Sequence, residues 1–305
     1  MDENNTLIFD SHPQLRSPYI VCGGDGSLNA GNVSVGGIQY LISHFKAVKF
    51  AQLATPRYHI YNTPSEQGLR PLFKMDDGLI VEHHFPKDEF YYALNPASDH
   101  DLVLFLGTEP NLYWEEYADT VVRLACDLKA SRLYAFGAIL DRYPYAREPR
   151  ITCTCTGQRV KDEIAKYRVG FSSREGAATL NQVLIYACQE DGLDGVGLTA
   201  RAPYYPEFNL AIESSPRSMK AVLVRLNDLM HLGLSFQELD EDAQEIEGKL
   251  GFVRQQNTQF NSYIEELDKG YVEMPYKETL DISPNEAIRL AEELLRKNNN
   301  QQKGQ

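Results

Sequence analysis

Four charged or aromatic residues each follow an apolar stretch that is predicted to be a strand: Glu109, Arg147, Arg201 and Tyr205. In a parallel sheet, the loops that leave the carboxyl ends of the strands gather along one edge, and ligands bind in the crevice there. Two guanidinium groups facing one carboxylate could bind an anion bidentately, while Glu109 orients a second group or accepts its proton. The sequence therefore predicts a ligand-binding crevice at this edge.

The same residues also have a purely structural explanation. In that interpretation Glu109 neutralises an arginine beneath the loops, and the neighbouring prolines make the rim of the crevice rigid. No nucleophile–base pair, metal-ligand cluster or phosphate loop accompanies the charges, which favours the structural interpretation over the functional one, in which the arginines bind an anion. No catalytic residue is predicted.

Gly26, Asn29 and Gly31 complete the candidate crevice. They lie in the glycine-dense segment 23–31, which joins a strand at 18–22 to a helix. The dinucleotide fingerprint fails because Asn29 stands where its third glycine belongs, and the phosphate-loop pattern fails because no Lys-Ser/Thr follows Gly31. A turn that needs positive φ and close packing is therefore favoured over anion binding.

Two short motifs could suggest a metal site. Cys153 and Cys155 alternate with threonines over 151–156, as expected of a half-buried strand, and no second ligand pair stands nearby. Adjacent residues on a strand point to opposite faces, so His83 and His84 cannot both bind one ion without a bend. The five cysteines are scattered and odd in number, which argues against a disulfide framework. No metal and no cofactor is predicted.

The elements that would position these residues alternate between strands and helices. The central unit has a strand at 102–106, an amphipathic helix beginning at an N-cap, Asn111, and a strand at 132–139. An uninterrupted apolar run such as 102–106 is typical of a strand buried on both faces. Further strands are predicted at 48–53, 79–85, 151–156 and 195–199, and further helices at 158–167, 177–189 and 215–231. This alternation predicts an α/β layered sandwich.

Apolar residues from Leu239 to Tyr271 keep a four–three spacing, which predicts a long helix with a heptad seam. That helix could pack on its own domain or mediate self-association, with Asn257 fixing the register in the second case. Another helix is predicted from a capping box at Ser283. The predicted organisation is a loose leader (1–17), an αβα core domain (18–233), a helical extension (234–297) and a disordered tail (298–305).

Two motifs together resemble the proteasome assembly chaperone 2 family. The first is Gly107-Thr108-Glu109-Pro110 with Trp114, Phe136-Gly137-Ala138 and Tyr143-Pro144-Tyr145-Ala146-Arg147, and the second is Gly197-Leu198-Thr199-Ala200-Arg201-Ala202-Pro203-Tyr204-Tyr205-Pro206. With the elements around them, the motifs cover roughly residues 18 to 270. The family usually has Gly-Trp-x-Asp-Ala-Gly where this chain has Gly26-Ser27-Leu28-Asn29-Ala30-Gly31, so both the Trp and the Asp are replaced.

The resemblance implies a three-layer αβα sandwich around a mixed, mostly parallel sheet, like that of nucleoside phosphorylases and related hydrolases. It also implies a homo-oligomer, a trimer to pentamer, and a chaperone of proteasome-ring assembly in the best-understood relatives. The predicted function is a non-enzymatic, oligomeric interaction protein whose protein client is unknown. The alternative is an enzyme of phosphorylase/hydrolase-like or carboxylate-amine ligase type, or a small-anion-binding module, using the crevice. The ligase alternative finds no nucleotide motif in the sequence.

Composition limits the partners. The 305 residues are 43% hydrophobic and 24% charged, as in ordinary globular proteins. Acidic residues outnumber basic ones by 43 to 30, and the formal charge of −13 repels phosphate backbones, so no nucleic-acid partner is expected. The sequence has no signal-peptide pattern and no membrane-spanning window, which predicts a cytoplasmic protein with no membrane partner.

Overall fold

The computed structural model describes residues 6–54, 57–61, 71–171, 173, 175–208 and 213–272, apart from the side chain of His84. Within these ranges the chain forms ten strands and seven α-helices. The strands are β1 (Leu7–Phe9), β2 (Tyr19–Asp25), β3 (Val48–Leu53), β4 (Leu72–Asp76), β5 (Leu79–His84), β6 (Glu89–Ala93), β7 (Leu102–Thr108), β8 (Arg132–Asp141), β9 (Ile151–Cys155) and β10 (Gly195–Pro203). The helices are α1 (Val33–Phe45), α2 (Trp114–Asp127), α3 (Gln158–Ile164), α4 (Leu180–Glu190), α5 (Pro216–Met230), α6 (Gln237–Gln256) and α7 (Thr258–Gly270).

Eight of these strands form one sheet, in the order β1-β3-β6-β7-β2-β8-β10-β9. The four neighbours β7, β2, β8 and β10 pair in parallel. Strand β3 points the same way, because it is antiparallel to β6, which is itself antiparallel to β7. The edge strands β1 and β9 are antiparallel to their neighbours. Five of the eight strands therefore share one direction, which confirms the predicted mixed, mostly parallel sheet.

Side chains on the two faces of the sheet enter two separate cores. In β2, Val21 packs into a cluster with residues of α1 and α5, while Ile20 and Cys22 pack into a cluster with residues of α2 and α4. Residues 102–105 are at most 2% exposed, because helices cover both faces of β7. The helices on both faces confirm the three-layer αβα sandwich.

The central βαβ unit forms as predicted, with β2 between its two strands. The predicted N-cap at Asn111 is wrong. The helix α2 begins at Trp114, after Tyr113 in a left-handed conformation, and the Asn111 side chain instead accepts a hydrogen bond from the amide of Ile60 at 2.8 Å. This asparagine therefore holds a distant loop rather than the start of its own helix.

The prediction of a loose leader is wrong for residues 7–9. They form β1, which pairs with β3 from Leu7 opposite Leu53 to Phe9 opposite Ala51. The hydrogen bond from the amide of Asp10 to the carbonyl of Phe50, 2.8 Å long, continues this pairing. Three residues are too few to show the alternation that is typical of a strand. This segment is a strand because it pairs with β3.

The predicted strand at 79–85 forms as β5, but it pairs only with β4 in a separate two-stranded hairpin. Asp77 and Gly78 make its two-residue turn with φ of 45° and 77°, the positive values that a type I′ turn requires. Strand β6, which the sequence analysis did not predict, follows the hairpin and pairs with both β3 and β7.

The predicted long helix is two helices, α6 and α7, which separate at Asn257. Leu250 of α6 and Phe260 and Ile264 of α7 are buried against Tyr205 in a third cluster, which also contains Tyr145. The prediction of one long helix with an unbroken seam, in which Asn257 fixes the register, is therefore wrong. The contacts support packing of both helices on the protein's own domain. The helix predicted from Ser283 and the tail at 298–305 lie outside the described residues.

Candidate functional site

The predicted pairing of Glu109 with arginines is wrong. Glu109 Oε2 accepts hydrogen bonds from the hydroxyl and the amide of Ser27, at 2.6 and 3.2 Å. Glu109 follows β7 and Arg201 lies on β10, and β2 and β8 run between these strands. Strands are about 4.8 Å apart, so the two backbones are separated by roughly 14 Å across the sheet. Glu109 therefore belongs to the glycine-rich loop, and it forms no ion pair with an arginine of the described ranges.

The glycine-rich loop is held by close packing. A Cβ on Gly24 would overlap the carbonyl oxygen of Gly107 on the neighbouring strand, and a Cβ on Gly26, at φ 135°, would overlap the Glu109 side chain. Gly31 also has a positive φ, of 60°, beside Ser215. These contacts support the interpretation of the segment as a tight turn from β2 to α1.

Asn29 uses its polar atoms within this loop. Its Oδ1 accepts a hydrogen bond from the amide of Val35 at 3.0 Å, and its Nδ2 donates to Asp25 Oδ1 at 3.1 Å. The first of these bonds satisfies an amide in the first turn of α1. Asn29 therefore orients the helix, in addition to any ligand contact, which stays a prediction.

Arg147 and Tyr205 contact the helical extension. Arg147 Nε donates to Asp268 Oδ1 of α7 at 2.8 Å. Tyr205 is fully buried, its hydroxyl donates to the carbonyl of Tyr143 at 2.6 Å, and its ring meets Phe260 edge-on with centroids 5.5 Å apart. The prediction that Tyr205 lines an open crevice is wrong, because α7 covers it.

Arg201 lines a cavity of about 450 Å³ between the carboxyl ends of β8 and β10 and the helix α7. Its lining contains three guanidinium groups, two carboxylates and three phenol rings: Arg142, Arg150, Arg201, Asp141, Glu266, Tyr143, Tyr263 and Tyr271. Arg201 Nε lies 3.8 Å from Asp141 Oδ2, beyond hydrogen-bond length. The cavity can therefore hold a small anion that carries a planar or apolar group.

Hydrogen bonds fix the backbone that carries Arg201. Its carbonyl oxygen accepts from Ser218 Oγ at 2.7 Å and from the hydroxyl of Tyr143 at 3.1 Å. Burial raises the pKa of Tyr143 well above its usual range, so this hydroxyl stays protonated and remains a donor. Tyr143 and Ser218 therefore position Arg201 at the cavity wall.

Sequence reasoning found Arg201 but missed Arg142 and Arg150, as well as Tyr263 of α7 and Tyr271 just after it. The two arginines flank the Tyr143 to Arg147 motif, so their closeness to the predicted crevice was a usable signal. No local pattern could predict the position of α7, because that position depends on the packing of Phe260 and Ile264 against Tyr205.

A second polar cluster, at Asp88, was also missed. Its carboxylate accepts hydrogen bonds from the Thr108 amide at 2.7 Å and the Tyr117 hydroxyl at 2.8 Å, and lies 3.2 Å from His59 Nε2. The side chains of Asp88 and His59 are fully buried. The cluster joins the segment 57–61 to β7 and α2.

The described residues contain no group of three or more His, Cys, Asp or Glu side chains that could hold a metal ion. His83, one of the residues considered above, stacks on Phe73 with ring centroids 6.1 Å apart.

The fold and the cavity define an αβα sandwich protein with a cavity at the carboxyl edge of its sheet. The chain belongs to the PAC2 family, whose model matches residues 25–252. This match confirms the family resemblance noted in the sequence. No curated protein matches the chain.

Solved structures with this fold come from bacteria and archaea. A proteasome-assembly chaperone homologue from Mycobacterium tuberculosis is 21% identical, with a TM-score of 0.70 over 81% of this chain and 99% of its own. A PAC2 family protein from Streptomyces avermitilis is 24% identical, with a TM-score of 0.69 over 82% and 99%. PbaB from Pyrococcus furiosus, an archaeal proteasome activator, is 22% identical, with a TM-score of 0.63 over 82% and 98%. Because these identities are all below 25%, the structural similarity establishes a shared fold and nothing more specific.

In the part of the chain that the structure describes, no helix is long and apolar enough to cross a membrane.

Proposed function

We propose that this protein is a non-enzymatic, oligomeric interaction protein that assists the assembly of a protein complex. Membership of the PAC2 family supports the proposal. So do the similar structures from Mycobacterium tuberculosis and Pyrococcus furiosus, whose names link those proteins to proteasome assembly and activation. The proposed client is a subunit of such a complex, and the proposed compartment is the cytoplasm.

The observation that carries the oligomeric part of the proposal is the β4–β5 hairpin. Its large apolar side chains are 45–69% exposed: Leu72, Phe73, Met75, Leu79, Ile80, Val81 and Phe85. Successive residues of a strand point to opposite faces, so runs such as Leu79-Ile80-Val81 make both faces of the hairpin apolar. A two-stranded hairpin is marginally stable in water by itself.

We assign this surface, which we call the apolar hairpin (residues 72–85), to a second copy of the same chain. The seven side chains together expose on the order of 800 Å², which is about what one partner contributes to a stable interface. Obligate interfaces are also more apolar than transient ones, and a permanently apolar surface needs a partner that is always present. Another copy of the chain meets that requirement. The resemblance to the family suggests three to five subunits.

Light scattering at micromolar concentration tests this assignment. Wild type is expected to have the mass of an oligomer, and Leu79→Glu combined with Val81→Glu is expected to reduce that mass. The hairpin forms a sheet separate from the main one, so the circular dichroism spectrum should change little. The melting temperature should fall, because dissociation removes the stabilisation that the partner supplies. Phe252→Glu is the matched control and should leave the mass unchanged. Phe252 is 64% exposed, but α6 exposes no other large apolar side chain beside it.

A monomeric wild type would contradict the assignment, and so would hairpin variants with an unchanged mass. A chain that lacks residues 273–305 tests a different cover for the hairpin. If this chain keeps the wild-type number of subunits but its hairpin side chains react more with a solvent-borne label, the chain's own C-terminal residues cover the hairpin. Affinity purification followed by mass spectrometry then identifies the client, because an assembly chaperone should retain a stoichiometric partner.

A second, narrower proposal concerns the cavity at Arg201: it binds a small anion. The supporting observation is that Arg150 and Arg201 both line the cavity and that Arg201 Nε lies beyond hydrogen-bond length of Asp141. The third guanidinium group, Arg142, is paired with Glu207 at 2.7 Å. Binding there would bridge the sheet edge and α7, and it requires no catalysis.

A further inference from the structure

Two thiol groups lie side by side on β9, the edge strand of the main sheet. The Sγ atoms of Cys153 and Cys155 are 3.4 Å apart, because residues two apart on a strand project from the same face. Cys153 is 7% exposed and Cys155 is partly exposed. The pair thus has one thiol that solvent reaches and one buried thiol beside it.

The surroundings of the two thiols differ. The hydrogen bond from Cys153 lowers the pKa of Cys155 despite partial burial, and the positive charges of Arg132 and Lys161 act in the same direction, opposed by Glu163. The same hydrogen bond and burial raise the pKa of Cys153. The reactive form of a cysteine is its thiolate, so Cys155 is the better nucleophile of the two.

We propose that Cys153 and Cys155 are a reversible redox site that reacts with low-molecular-weight disulfides such as glutathione disulfide. The Cys155 thiolate attacks one sulfur of that disulfide, forms a mixed disulfide and releases one thiolate. Cys153 then loses its proton to that thiolate or to water and attacks Cys155 Sγ, which releases the second small thiol. The two cysteines are oxidised by two electrons in total, and the small disulfide is reduced to two thiols.

The backbone makes this disulfide easy to reduce. Two residues two apart on an extended strand have Cα atoms roughly 6.6 Å apart. That is near the upper limit of about 6.8 Å for a disulfide, and its Cβ atoms must approach further still. Closing the ring therefore strains β9, and strained disulfides are the labile, regulatory ones. The site is a switch rather than a structural cross-link.

The test uses the full chain, reduced and then equilibrated with glutathione and glutathione disulfide at several ratios. The protein is then unfolded, unreacted thiols are blocked with a maleimide, and peptides are analysed by mass spectrometry. In wild type, Cys153 and Cys155 should lose labelling together, and their peptide should lose two hydrogen atoms. Excess thiol should restore both labels.

Two variants separate this mechanism from chance oxidation. In Cys153→Ser, glutathione should remain attached to Cys155, because the thiol that displaces it is gone. In Cys155→Ser, the buried Cys153 should stay unmodified. Cys126, which is exposed and is followed in the same samples, serves as the internal control for ordinary glutathionylation.

The proposal is overturned if Cys153 and Cys155 remain as thiols at ratios that modify Cys126. It is also overturned if their oxidation occurs only under conditions in which the buried Cys22 and Cys188 are themselves oxidised or glutathionylated, because the reaction then requires global unfolding. Melting curves of both serine variants establish that they are folded under the conditions used.

Discussion

Asn257 Oδ1 accepts a hydrogen bond from the amide of Phe260 at 3.0 Å, and this capping bond begins α7. The cap lets α7 leave the direction of α6 and place Phe260 and Ile264 on Tyr205. Arg147 and Asp268 then join the helix to the loop after β8. The four–three spacing of apolar residues therefore serves packing within one chain.

Replacing Asn257 by Ala should lower the free energy of unfolding by about 1 kcal/mol, the usual contribution of an N-cap side chain. Urea denaturation measures the change. Asn257→Ser should restore most of the stability, because a serine hydroxyl also accepts this hydrogen bond. The oligomer mass should stay constant in both variants; a changed mass would instead favour a role for Asn257 between subunits.

Asp88→Ala should destabilise the protein by about 3 kcal/mol or more. The substitution leaves the buried Thr108 amide and His59 Nε2 without their partner, and each unsatisfied group costs about 1–3 kcal/mol. The Tyr117 hydroxyl keeps a second acceptor, the Thr108 carbonyl, at 3.0 Å. Thermal and urea unfolding measure the effect. Asp119→Ala is the control: its contact with Arg123 is 3.8 Å long and exposed, so its removal should change stability by less than about 0.5 kcal/mol. Equal effects of the two substitutions would contradict the assigned role of Asp88.

Asp101 should make stability depend on acid pH. Burial opposes its ionisation, but hydrogen bonds from Arg16 and the Asn95 amide outweigh burial and lower its pKa below the usual 3.8. A carboxylate with a lowered pKa contributes stability above the pKa of the unfolded chain, about 4, and loses it as pH falls through the folded value.

Urea midpoints between pH 7 and pH 2.5 check this expectation. Asp101→Asn should be less stable than wild type at pH 7, and the difference should shrink as the wild-type carboxylate is protonated. Asp119→Asn should follow the wild-type curve. A constant gap between Asp101→Asn and wild type at every pH would mean that the charge of Asp101 contributes nothing.

The sequence predicted most elements because their signals are local. Val48 to Leu53 is a strand with the predicted ends, and the run from Leu102 is buried on both faces as its composition indicated. The motif around Arg201 also identified the family correctly.

The sequence could not predict how the elements are ordered in space. Glu109 follows β7 and Arg201 lies near the end of β10, but only the strand order reveals that β2 and β8 separate them. The same limit applies to Tyr205, whose burial requires α7, and to Asp88, whose hydrogen-bond partners come from three other segments. Contacts between distant residues decide all three, and periodicity carries no information about such contacts.

Arg201 should be the chief contact of the proposed anion site. Its backbone is fixed by Ser218 and Tyr143, so little conformational freedom is lost on binding. One bidentate guanidinium contact contributes about 1.5–3 kcal/mol, so Arg201→Ala should weaken binding roughly ten- to a hundredfold. A thermal-shift screen with phosphate, sulfate and common nucleotides, followed by titration calorimetry, measures the loss.

The same variant should barely affect the protein without ligand. The carboxylate nearest to Arg201, Asp141, is 43% exposed, so losing this neighbour should cost less than about 1 kcal/mol. Arg159→Ala removes an exposed arginine outside the cavity lining and should leave the ligand-induced melting shift intact. If no anion raises the melting temperature of wild type, or if Arg159→Ala abolishes the shift as fully as Arg201→Ala, the cavity is not an anion site and Arg201 serves only the packing of the sheet edge.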